Sequence, residues 1–336
     1  MKNILVIYTG GTIGMVKDTK SGALRPFDMK KIYEVLPILR KLDCNIDTFQ
    51  FDPIIDSSDM NAKVWLSLAK KIKQEYDNYD GFVILHGTDT MSYTASCLSF
   101  LLENLNKPVI ITGSQLPLGM IRTDGRDNII SSIEIASNNS VLIPEVCIFF
   151  GNKLFRGNRT TKLNAEYFEA FYSGNYPSLA KVGINISYKQ HLISSCQNKS
   201  LKVYDNLCQD VVIVKVCPTI QESFLSAIIN IPNLKGIVLE TYGSGNAPTN
   251  DYFLCSIEKA IKKGITVMNV TQCKAGSVEM GHYEASCGLM NLGVISGKDI
   301  TTEAALTKMM FVLGNYKDKK EQIEKLKENL RGEISI

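Results

Sequence analysis

GFVILHGTDTMSYTASCLSFLLENLNKPVIIT, residues 81–112, decides the reading of the fold. It opens on a short apolar run at 81–85, breaks at His86-Gly87-Thr88-Asp89-Thr90, and closes on a β-branched run at 108–112. Between the runs Leu98, Leu101, Leu102 and Leu105 fall at i, i+3, i+4 and i+7, the spacing that puts side chains on one face of a helix. Strand, helix and strand in so short a stretch make a βα unit, and successive units of this kind build a parallel sheet covered by helices.

The same alternation extends outward. Strands are expected at 3–8, 47–51 and 145–150, and Val64, Leu68 and Ile72 repeat every fourth residue as a second helical stripe. From 186 to 205 the text ISYKQHLISSCQNKSLKVYD loses its periodicity and fills with Ser, Asn, Gln and Lys, as a connector does. A smaller alternation follows, with strands near 211–216, 236–240 and 265–269 and helices near 221–230, 250–263 and 301–313. The expected architecture is α/β: a parallel-sheet N-terminal catalytic domain over 1–185, a linker over 186–205 and a smaller α/β domain over 206–336. In the charged stretch KDKKEQIEKLKEN, Ile323 and Leu326, with Leu330 just beyond, share one side, which predicts a helix whose charges face solvent.

Composition narrows the function classes. The 336 residues are 45% hydrophobic and 21% charged, the balance of a globular protein with large cores. Lys plus Arg (37) nearly cancels Asp plus Glu (34), and no basic tract stands beside aromatics, so nucleic acid is not an expected partner. The nine cysteines show no paired CxxC spacing, which predicts mostly buried thiols in a reducing compartment. The apolar run Ile4–Tyr8 is shorter than a secretory core of about 7 to 15 residues or a membrane span of about 20, so no membrane and a cytoplasmic location are expected.

In an open parallel sheet, ligands bind beyond the carboxyl ends of the strands. Four segments after expected strands are unusually polar: Thr9-Gly10-Gly11-Thr12-Ile13-Gly14, Asp56-Ser57-Ser58-Asp59, His86-Gly87-Thr88-Asp89-Thr90, and Arg156 to Lys162. The glycines of the first allow close backbone approach and can present the Thr12 hydroxyl. Its spacing is neither GxGxxG nor GxxxxGK[ST], which speaks against a nucleotide-binding oxidoreductase. A threonine hydroxyl needs a base to act as a nucleophile, and Thr88, Asp89 and Lys162 can form such a relay. Burial would favour a neutral Lys162 while the Asp89 carboxylate would favour the ammonium, and spacing alone does not rank these effects.

These residues resemble the bacterial-type L-asparaginases, and specifically the cytosolic type I enzymes, over essentially the whole chain. The strongest blocks are YTGGTIGM at 8–15, DSSDM at 56–60, YDGFVILHGTDTM at 79–91, VIITGSQLPL at 109–118, LFRGNRTTK at 154–162 and YGSGNAP at 242–248. The resemblance implies that Thr12 is the nucleophile, that Thr88, Asp89 and Lys162 complete the catalytic set, and that Asp56, Ser57, Ser58, Thr88 and Asp89 hold L-asparagine. It also implies a β-aspartyl ester intermediate, no cofactor and no metal. A homodimer or homotetramer is implied too, with active sites completed between subunits and Asn246 contributing in trans.

Two positions depart from the family pattern. Where relatives carry a tyrosine in the loop after the first motif this chain has Ala23, and by resemblance Tyr283 from a neighbouring subunit is the candidate replacement. Glu240 stands where the allosterically regulated relative has an arginine, although Cys273 matches the same effector site. Competing readings are the asparaginase-like subunit of a tRNA-dependent amidotransferase, which carries an extra N-terminal domain for which the nine residues up to Thr9 leave no room, and a catalytically silent amino-acid-binding sensor on the same fold.

Overall fold

The computed structural model describes residues 1–17, 22, 24–281 and 284–335. The chain forms two compact units, Met1–Asp205 and Asn206–Ile336. Both are α/β.

The first unit is built on an eight-stranded sheet. Its parallel part runs in the order Cys44–Gln50, Lys2–Tyr8, Gly81–Leu85, Val109–Thr112, Val146–Phe150. Within this sheet the first strand in sequence therefore lies between the second and the third, and the chain passes to one side of it and then crosses to the other. That reversal opens a crevice at the carboxyl ends of the first and third strands, where open α/β sheets take their ligands. All residues of the 81–85, 109–112 and 146–150 strands are buried, which is why they read as unbroken apolar runs.

Three helices of 11 to 14 residues flank these strands. Ala62–Glu75 starts on the Asn61 cap and buries Trp65, Leu68, Ala69 and Ile72. Met91–Leu101 is buried on nearly every side, with Tyr93 its only partly exposed residue. It stops short of the expected stripe. Leu102 belongs to a two-residue strand and Leu105 to the following loop, because the chain turns through Asn104 at φ 59°.

Past Phe150 the sheet changes direction. A turn at Gly151-Asn152 sends Lys153–Arg156 back antiparallel, and Ala180–Val182 and Ile186–Tyr188 extend that edge. Residues 186–205, expected as a connector, thus carry a sheet strand and a second short strand at Lys202–Val203, and they cluster with the first unit. Glu145 and Arg156 fasten this region: the guanidinium bonds the carboxylate at 2.6 and 3.3 Å and reaches Leu192 O and Ser194 Oγ, with the Tyr176 ring 4.3 Å away.

The second unit carries a four-stranded parallel sheet, Val211–Lys215, Gly236–Thr241, Thr266–Thr271 and Ile295–Ser296, in sequence order. Helices Glu222–Ile229, Asp251–Lys262 and Thr302–Asn315 lie close to the expected positions. The helix Lys319–Lys327 buries Leu326 and leaves its charges outward. At the heart of this unit the Lys308 ammonium meets the Glu333 carboxylate at 2.6 Å, both side chains fully buried. Glu333 also accepts the Leu330 and Arg331 backbone N–H groups, and Ser335 bonds Asp299 through its N–H and its hydroxyl. Burial pulls the Lys308 pKa down, and Glu333 opposes that shift.

Of the nine cysteines, all reduced, only Cys44, Cys97, Cys147 and Cys208 are buried, so the expectation that most would be is not met. Cys196, Cys217, Cys255 and Cys273 are exposed on loops and on the outward face of a helix, where apolar packing makes no demand.

Candidate active site

Three loops meet at the crevice through glycines. Gly10 lies at φ 146° and Gly11 at φ 91°, conformations that side chains with a Cβ rarely adopt. A Cβ on Gly10 would run into Ile55 O, and one on Gly11 would run into the backbone of Gly87. Gly87 in turn has no room for a Cβ, which would sit 2.5 Å from Ser57 Oγ. The loops after the first, second and third strands therefore touch backbone to backbone. Hydrogen bonds lock the arrangement: Ile55 N donates to Thr9 O, Thr9 N to Leu85 O, and the Thr90 hydroxyl to Ser57 O at 2.6 Å.

Thr12 opens a short 3-10 turn, Thr12–Gly14, directly after this contact and is half-buried. Ser57 is buried, at 4% exposure, beneath the meeting point. Asp56 caps the following turn: one carboxylate oxygen accepts both the N–H and the hydroxyl of Ser58, which lowers the Asp56 pKa. Asp56 and Ser58 are therefore partners of each other, and both are exposed.

Lys162 arrives by a route the sequence did not indicate. It was expected in a loop straight after the fifth strand, but the antiparallel strand Lys153–Arg156 intervenes and the chain returns through Gly157–Arg159, packed on the Met91–Leu101 helix. A two-residue strand then pairs Lys162 with Phe171. The Lys162 Nζ lies 2.8 Å from Thr88 Oγ1 and 2.8 Å from Asp89 Oδ1. The Lys162 side chain is 20% exposed and that of Asp89 is 64% exposed, so one faces inward and the other faces the mouth.

Two supports have no signature in the spacing. Gln115 Nε2 donates to Ala165 O and Tyr167 O, tying the loop after Lys162 to the end of the fourth strand, while Asp124 accepts the N–H groups of Gln115 and Leu116. Behind Thr88 lies His86, fully buried. Its Nδ1 is 2.6 Å from Gly87 O, which can only accept, so Nδ1 carries the proton and Nε2 accepts from the Thr94 hydroxyl at 2.9 Å. Thr94 accepts in turn from Trp65 Nε1 at 2.9 Å. This chain of donors joins two helices to the loop bearing Thr88 and Asp89.

Burial lowers the His86 pKa from 6.5 to about 4. Between those values the unfolded chain binds a proton that the folded chain does not, so stability falls as pH drops from 6.5 to 4 and is unaffected by this group above 6.5. The loss amounts to about 3 kcal/mol. Denaturant melts of the wild type and His86→Gln from pH 4 to 8 check it: the variant should lose this component of the acid slope, and identical slopes would refute the assignment.

Asn246 lies in the second unit, where Tyr242 and Asn246 bridge across a tight turn. Its Oδ1 is buried without a hydrogen-bond partner among the described residues. Ala23 and Tyr283 lie outside the described residues. Glu240 accepts the Thr302 hydroxyl at 2.7 Å, and Cys273 is exposed on the loop after the third strand of that unit. Among the described residues no three His, Cys, Asp or Glu side chains are placed to hold a metal ion.

The chain belongs to the asparaginase family and is an amidohydrolase: the family's N-terminal domain matches residues 3–194, and the glutaminase/asparaginase C-terminal domain matches residues 210–326. It is 42% identical to L-asparaginase 1 of Escherichia coli over 335 residues, covering 99% of this chain and 98% of that protein. It is 40% identical to the 60 kDa lysophospholipase of Homo sapiens, over 99% of this chain and 62% of that longer protein. The crystal structure of L-asparaginase I from Vibrio cholerae superimposes with a TM-score of 0.91 at 40% identity, covering 100% of this chain and 99% of that one.

Proposed function

We propose that this chain hydrolyses L-asparagine to L-aspartate and ammonia through a covalent ester on Thr12. The observation that carries the reading is the Lys162 amine, 2.8 Å from both Thr88 Oγ1 and Asp89 Oδ1, beside the loop contact that presents Thr12. In the first half-reaction the Thr12 oxygen attacks the carboxamide carbon, its proton passes to the Thr88–Lys162 pair, and ammonia leaves with a proton returned from that pair. In the second, water attacks the β-aspartyl ester and gives its proton to the same pair, the carbon–oxygen bond to Thr12 breaks, and the pair returns that proton to the Thr12 oxygen. Asp89, open to the mouth, receives the substrate ammonium, and Ser57 donates to its α-carboxylate.

No helix among the described residues is long and apolar enough to cross a membrane. Two features support the reading as a homo-oligomer. Leu163, Tyr167, Phe168 and Tyr172, with Met120 and Ile121 on the loop stapled to them by Gln115, leave apolar surface exposed beside Lys162. Among the described residues the buried Asn246 Oδ1 has no hydrogen-bond partner. We assign the first to a subunit interface and the second, with Tyr283, to a neighbour's active site.

The test is steady-state ammonia release from asparagine and glutamine over a wide concentration range. Turnover with asparagine preferred is expected, and absence of ammonia release would overturn the reading in favour of a binding protein. Co-expression of inactive Thr12→Ala subunits with Asn246→Ala subunits addresses the interface: activity above that of either alone is expected, and none would place each site within one subunit.

A further inference from the structure

Tyr8 is a buried phenol to which the reaction gives no part. It ends the first strand, is fully buried, and points into the core that also holds Ile13. Its hydroxyl donates to Gly11 O at 3.3 Å, and Gly14 N donates to the same oxygen at 3.3 Å. Gly14 has no room for a Cβ because the Tyr8 ring and hydroxyl fill that place. The nucleophile's turn, Thr12–Gly14, is thus wrapped over a tyrosine, with glycines on either side that let it settle there.

The direction of one peptide follows. In a trans peptide the C=O and the following N–H point opposite ways. The Gly11 carbonyl points down to Tyr8, so the N–H of Thr12 points away from the core, and it meets no acceptor among the described residues. A donor fixed at the nucleophile and aimed outward stabilises negative charge on a carbonyl oxygen under attack, provided its peptide does not flip. Adjacent glycines make flipping easy unless something holds the carbonyl.

We propose that Tyr8 is a positioning residue: its hydroxyl holds the Gly11–Thr12 peptide so that the Thr12 N–H faces the reacting carbonyl. The inference rests on Thr12 being the nucleophile. Tyr8 takes no part in proton transfer, since burial raises its pKa to about 12 and it remains a donor throughout the working range.

The test is Tyr8→Phe, which removes one oxygen and leaves the ring that fills the core. Because the peptide acts in the transition state, kcat should fall about tenfold with KM changed by less than about twofold, at temperatures well below unfolding. The pH profile should drop evenly without moving its inflections. Replacing Tyr8 by 4-aminophenylalanine, which keeps a donor of similar reach, should restore most of kcat. Gly14→Ala, which pushes the ring from its seat, should reproduce the loss and supplies the test if Tyr8→Phe does not fold.

An unchanged kcat in folded Tyr8→Phe would overturn the proposal, as would no rescue by the aniline. A lost alkaline limb would make Tyr8 an acid–base group instead, and a loss of thermal stability with full activity would make it core only. If the wild type releases no ammonia, the function itself fails; if the wild type is active, Thr12→Ala is dead and Tyr8→Phe is normal, only the positioning role fails.

Discussion

Thr12→Ala should fold normally and release essentially no ammonia from asparagine. Thr12 is half-buried at the start of a three-residue turn, and its hydroxyl bonds no other group among the described residues. Removing it opens no core cavity, so stability should shift by no more than about 1 kcal/mol. Activity has no such tolerance. Without the attacking oxygen no ester forms, and losing a nucleophile typically lowers kcat by about 10⁴-fold or more. Thermal melts and a coupled ammonia assay on the same preparation check both halves. Ammonia release within tenfold of the wild type would remove Thr12 as nucleophile.

The second large effect lies at Lys162 and Asp89. Lys162→Met should lower kcat by about 10³-fold, since it removes the amine bonded to Thr88. Asp89→Asn should cost somewhat less in kcat and also raise KM, because its carboxylate serves both Lys162 and the substrate ammonium. The double variant should be scarcely worse than Lys162→Met, as expected of groups that act as one unit. Losses that multiply would show independent roles. Neither change should unfold the protein: the pair reaches solvent on the Asp89 side, where an exposed ion pair contributes under about 1 kcal/mol.

Much of this was legible because glycine and β-branched residues punctuate the chain. The runs at 3–8, 81–85 and 108–112 end where polar loops begin, and the rule that ligands sit at carboxyl ends picks out the loops bearing Thr12, Ser57 and Thr88 without any alignment. Periodicity could not show the antiparallel return at Lys153–Arg156, since a buried strand reads alike in either direction. It also carried the 91–101 helix too far, because Leu102 and Leu105 keep the helical spacing after the backbone has turned at Asn104. The Trp65–Thr94–His86 chain and the Gln115 staple were invisible for a different reason. Each joins residues far apart in sequence through single hydrogen bonds, which leave no repeat to read.

The buried contact between Lys308 and Glu333 bears on how the chain matures as it is made. Domains fold as units, with the earlier one first during synthesis. The first unit has every strand and helix it needs once Asp205 has been made. The second does not, because its core encloses an ammonium whose counter-charge is added only when Glu333 is reached. Until then Lys308 must stay in water, and closing the core around it unpaired would cost about 3 to 5 kcal/mol. A chain ending between these two residues therefore lacks the counter-charge to Lys308, and its second unit should be less stable by about that amount.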